Sequence, residues 1–97
     1  MRVGQVRRRD ANEPAIVQAL QQLGAKVLPL SDKGAPDLLV LWRGSVFLAE
    51  IKSGRGQPTA AQNQWRIEGW PVLTLRSVDD AYNAIGQVLP FQSGAER

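Results

Sequence analysis

The sequence contains no cysteine and no histidine. These absences remove zinc sites built on nitrogen or sulfur, cysteine nucleophiles and serine–histidine pairs. A metal held by this chain must therefore sit on oxygen ligands, which points to magnesium, manganese or calcium. Long apolar runs are also missing. None approaches the ~20 residues of a membrane span, so no membrane partner is expected. The opening MRVGQVRRRD has no apolar stretch of the secretory kind, and with no cysteine in the chain a cytoplasmic location is expected.

What is present is ordinary for a small globular protein. The 97 residues suit one domain, and a chain of this size buries roughly 65% of its unfolded surface. With 43% hydrophobic and 22% charged residues, that is enough for one modest core. The net charge is +3, and the excess is local to Arg7, Arg8 and Arg9. Such a run favours a polyanion such as nucleic acid, though a solvated basic arm explains it equally well. Residues 1–9 read as that arm and residues 10–97 as a single domain.

The periodicity predicts seven elements. DANEPAIVQALQQLG reads as a helix with Ile16, Val17, Leu20 and Leu23 on one stripe, Asp10 or Asn12 as its cap, and Gly24 as its stop. KVLPL (26–30) is a short strand, at an edge or ending at Pro29. Residues 37–42 and 45–52 form a hairpin. After the loop SGRGQP, Thr59-Ala-Ala-Gln62 matches a capping box and starts a second helix that runs to Glu68. PVLTLR (71–76) is a further strand. A third helix follows, capped by Ser77, with Val78, Ala81, Tyr82, Ile85 and Leu89 on one face. The order α-β-β-β-α-β-α describes a small mixed α/β domain.

The hairpin carries the chemistry. APDLLVLWRGSVFLAEIKSG, residues 35–54, holds two apolar runs with acids at their outer ends. If Arg43-Gly44 is the turn, Trp42 faces Ser45, and the same register sets Asp37 opposite Glu50 with Cβ atoms about 5 Å apart. A bulge at Gly44 would shift this by one residue. Glu50 and Lys52, two apart in a strand, share a face. Two carboxylates that close repel by about 3 kcal/mol at an effective dielectric near 20. A hard divalent cation turns that repulsion into coordination, with Lys52 balancing charge or holding a negatively charged oxygen. The plainer alternative is a solvated hairpin end in which Lys52 neutralises Glu50.

Two further residues join this set. Glu13 falls at the centre of the first helix's apolar stripe, where an acid has no reason to be solvated; its alternative is a capping box with Asp10. Gln62 is fully explained by the Thr59 capping box, so a functional role stays open.

Pro36-Asp37, Glu50-Ile51-Lys52 and a helical acid at Glu13 together resemble the signature of the PD-(D/E)XK nuclease superfamily. The chain is more similar still to the virus-type replication-repair nucleases, the VRR-NUC domains, in their small stand-alone form. GAPDLLVL, AEIKSG, RSVDD and TAAQNQW, with Gln62 and Trp65, carry this likeness across residues 10–89. The loop SGRGQP is shorter than is usual in that family.

The resemblance implies a restriction-endonuclease-like α/β core, a mixed central sheet flanked by helices. It also implies a magnesium- or manganese-dependent DNA nuclease of a bacterial or phage-infected cell. Asp37, Glu50 and the Ile51 carbonyl would be metal ligands, with Glu13 acting through water. Lys52 would act on the nucleophile or the phosphate, and Gln62 would position Lys52 or the substrate. Archaeal Holliday-junction resolvases share the arrangement.

Phosphodiester hydrolysis is the expected reaction, with Arg7, Arg8, Arg9, Arg55 and Arg66 tracking the DNA backbone. No element is available to read base edges in a groove, so selectivity would come from DNA shape. A homodimer acting on branched DNA such as Holliday junctions is the simplest arrangement. The rival readings are a general non-selective nuclease, an inactive DNA-binding module, and an interaction domain using Trp42, Trp65 and Trp70. Core packing is the blander account of those tryptophans.

Overall fold

A computed structural model describes residues 9–87 of the chain. Arg7, Arg8 and Leu89 lie outside the described residues. The elements are α1 (Glu13–Gln22), β1 (Lys26–Pro29), β2 (Leu38–Trp42), β3 (Ser45–Ile51), α2 (Ala60–Ile67), β4 (Val72–Leu75) and α3 (Val78–Gln87), in the order read from the sequence. They build a four-stranded mixed sheet ordered β1-β2-β3-β4 and flanked by helices. The first three strands run antiparallel, while β3 and β4 are parallel. A parallel pair cannot be closed by a tight turn, and α2 supplies the crossover. β1 is an edge strand that stops at Pro29, where an edge position tolerates the missing N–H. No helix among the described residues is long and apolar enough to cross a membrane.

The β2–β3 hairpin turns on two residues. Arg43 has φ 50° and Gly44 φ 82°, and two successive left-handed residues are what a type I′ turn requires. Arg43 accepts this strained conformation with its guanidinium 5.0 Å above the Trp42 ring, a cation–π contact that offsets part of the cost. Trp42 pairs with Ser45 and Leu38 with Ala49, so no bulge at Gly44 shifts the expected register.

Helices α1 and α2 end alike. Ala25 N–H reaches back to the Leu20 carbonyl and Gly24 N–H to Gln21; Trp70 and Gly69 repeat the pattern on Trp65 and Arg66. Both are Schellman closures. At α2 the accompanying side-chain contact is between Trp65 and Trp70, whose ring centroids are 5.3 Å apart.

Alternation along the strands sets the core. Leu38, Val40, Phe47, Ala49, Ile51 and Leu75 form one cluster with Ile16, Ala19 and Leu20 of α1 and Ala81, Ala84 and Ile85 of α3. The other face carries buried Leu48, Glu50 and Val72, and leaves Leu28, Leu41 and Val46 exposed. Two expected core positions are corrected. Tyr82 is 46% exposed and Ala84 takes the buried place on α3, leaving the phenol wet at the helix edge. Leu23 is exposed because it is the C-cap of α1, one residue past the last helical position. Of the tryptophans, Trp42 and Trp65 are half-buried and Trp70 is exposed.

Candidate active site

Where the hairpin opens, its ladder is finished by a side chain. Asp37 N–H donates to the Ala49 carbonyl at 2.9 Å. Its carboxylate Oδ2 then accepts from the Ile51 N–H at 2.6 Å, beyond the last paired backbone acceptor of β2. Leu30 N–H donates to the Asp37 carbonyl, and Pro36 is fully buried beside it. Asp37 is thus fixed by backbone on both sides.

Glu50 is fully buried. Its Oε1 lies 3.4 Å from Arg66 Nη1 and accepts from Thr74 Oγ1 at 3.4 Å. That hydroxyl in turn accepts from Arg66 Nη2 at 2.6 Å. Glu50 Oε2 has no hydrogen-bond partner among the described residues. A buried carboxylate oxygen left unsatisfied is costly, and the cost is relieved only by something that binds it.

Lys52 lies just beyond β3, its N–H donated to the Leu75 carbonyl. It forms no ion pair among the described residues, and Arg66 is the cation on Glu50. The alternative in which Lys52 neutralises Glu50 is therefore corrected.

Glu13 is buried at the first position of α1. The capping box with Asp10 does not form: Asn12 is the N-cap, which puts Glu13 at the wrong position for one. Arg9 instead links the acids. Its Nη1 is 3.6 Å from Glu13 Oε1 and 3.8 Å from Asp37 Oδ1. The same guanidinium donates to the Leu30 carbonyl at 2.8 Å and to the Asp37 carbonyl at 3.4 Å. Gln62 is buried with its capping box complete: its N–H goes to Thr59 Oγ1, and its Oε1 accepts from the Thr59 N–H.

The arginines divide. Arg9 and Arg66, expected to track a DNA backbone, turn inward to the acids. Arg55 is exposed in the loop after Lys52 and pairs with no acid among the described residues.

The sequence reading missed Asn12. Its Nδ2 donates to the carbonyls of Lys52 at 3.1 Å and Arg76 at 3.0 Å, while its Oδ1 accepts from Ser53 Oγ at 3.0 Å. It makes no side-chain cap bond to its own helix. An asparagine at a helix start reads as a cap, and no local signal marks partners so distant in the chain.

Among the described residues, no three acids cluster closely enough to hold one ion by themselves. The groups present nonetheless fit a hard divalent ion. Asp37 and Glu50 are anionic oxygen donors at one hairpin end, and Glu50 Oε2 is buried with its bonding capacity unused. Water completes such a shell readily for magnesium or manganese.

Neither a family profile nor a curated protein matches the chain. A solved structure described as a VRR_NUC domain does, with 28% sequence identity and a TM-score of 0.64. The match covers 79% of this chain and 92% of that one. The chain thus resembles the VRR-NUC domains in structure as it does in sequence, and the likeness supports a nuclease of the PD-(D/E)XK kind.

Proposed function

We propose that the chain is a magnesium- or manganese-dependent DNA endonuclease hydrolysing phosphodiester bonds. The observation that carries this reading is Glu50, buried beside the end of β2 with one oxygen unpartnered among the described residues. Asp37, Glu50 and the Ile51 carbonyl would hold the ion, and Glu13 would act on it through water. When bound, such an ion polarises a phosphate oxygen and acidifies water. Lys52, unpaired with any acid among the described residues, holds its ammonium for charge developing on the phosphate or its attacking oxygen. Gln62 positions Lys52 or the substrate. Arg55, with Arg7 and Arg8, contacts phosphates without reading sequence.

Substrate choice then rests on shape, and a homodimer with two such sites suits branched DNA, four-way junctions first. The exposed Leu28, Leu41 and Val46 on the open sheet face are suited to such an interface. The test incubates the purified chain with a four-way junction and a linear duplex of the same sequence, with and without magnesium or manganese. Ion-dependent nicking of the junction in preference to the duplex supports the whole reading. Equal cleavage of both leaves a general nuclease, and binding without cleavage leaves an inactive DNA-binding module.

A further inference from the structure

The resting site already contains a cation. Arg9 Nη1 stands 3.6 Å from Glu13 and 3.8 Å from Asp37, so one guanidinium compensates both carboxylates. Its remaining bonds hold the carbonyls of Leu30 and Asp37, at the two ends of the loop that delivers Asp37. We propose that Arg9 is a built-in counter-cation, which keeps the Glu13–Asp37 pair charge-balanced and must leave those carboxylates before a divalent ion can bind there. The proposal rests on the metal-dependent reading above.

The physical reason is competition for one place. With Arg9 Nη1 3.8 Å from Asp37 Oδ1, a divalent ion ligated by that oxygen would lie within about 6 Å of the guanidinium, and two cations that close repel strongly at protein dielectric. The side chain is therefore expected to swing away, and its lost ion pairs weaken the apparent affinity for the ion. Arg9 is a positioning residue, set against binding rather than for it. A residue that merely clamps the loop has the opposite signature, because removing it would loosen Asp37 and weaken ion binding.

Manganese affinity decides between them. Binding to the full chain is followed through the electron-paramagnetic signal of free Mn2+, with no DNA present. Arg9→Ala and Arg9→Gln should bind Mn2+ on the order of tenfold more tightly than wild type. Arg9→Lys, which keeps the charge, should stay near wild type. Lys26→Ala, which removes an exposed charge from the opposite end of β1, should change affinity less than twofold, so that net charge alone is not the cause. Arg9→Gln retains an N–H for the Leu30 carbonyl and decides the matter should Arg9→Ala fail to fold. Unchanged or weaker binding by the neutral variants overturns the counter-cation and leaves the nuclease reading standing. No Mn2+ uptake by wild type or any variant overturns both.

Discussion

At the residue scale, Lys52 and Glu50 separate cleanly. Lys52 forms no ion pair with an acid among the described residues, so Lys52→Ala should keep the fold, Mn2+ binding and DNA binding while kcat falls by about 10²–10³-fold. Single-turnover cleavage beside a binding titration checks this; near-normal cleavage removes Lys52 from the chemistry. Glu50→Gln should abolish cleavage together with the stabilisation that Mn2+ gives in thermal unfolding. Relief of repulsion between acids would make that variant more stable than wild type. The Arg66 contact argues otherwise, since Glu50 is already compensated. Arg66 is a third exposed and its charge stays partly solvated, so the cost should be modest, about 1 kcal/mol. The hairpin register that sets Asp37 against Glu50 was legible because strand alternation and a two-residue turn convert sequence spacing into geometry. The inward arginines were not. Arg9 next to Arg8, or Arg66 on an exposed-looking helix, shows only local composition, whereas Asp37, which Arg9 shares with nearby Glu13, and Glu50, which Arg66 meets, lie far off in the chain.

At the element scale, α2 poses the open question about Gln62. The capping box spends both Thr59 and Gln62 on the helix start, and losing either half should destabilise α2 by about 1 kcal/mol. Thr59→Ala should therefore lower stability and leave the cleavage rate close to normal. Gln62→Ala should lose similar stability and, in addition, at least tenfold in kcat. Urea unfolding of both variants, set beside their rates, checks the pair. Equal rates would reduce Gln62 to a cap. The elements themselves were readable because each carries its own punctuation: Gly24 and Gly69 close helices, Pro29 ends a strand, and Arg43-Gly44 makes the turn. Burial within an element was less readable. Val78, Ala81, Tyr82 and Ile85 fit one helical stripe, yet only the packing against α1 and the sheet decides that Ala84 lies inside and Tyr82 outside.

At the scale of the whole molecule, assembly and folding order come into view. If the open sheet face joins two copies, Val46→Lys should yield a monomer by light scattering and lose junction preference while retaining ion-dependent cleavage of linear DNA. A variant with wild-type mass would place the interface elsewhere. Asn12 has a different kind of consequence. Its one side chain binds carbonyls 40 and 64 residues away, tying α1 to the ends of β3 and β4. Closing loops that long is entropically slow, so such contacts form after the local hairpin and helices. The ends of β3 and β4, where Lys52 lies, should accordingly be the last part to assemble and the first to open. In stopped-flow kinetics, Asn12→Ala should leave the refolding rate within about twofold of wild type. Unfolding should accelerate at least tenfold, because bonds worth about 2 kcal/mol are absent from the transition state. The amides of Ile51 and Lys52 should then exchange with solvent well before those of Val40 and Phe47, so that the end carrying the candidate site melts while the hairpin that bears it still stands.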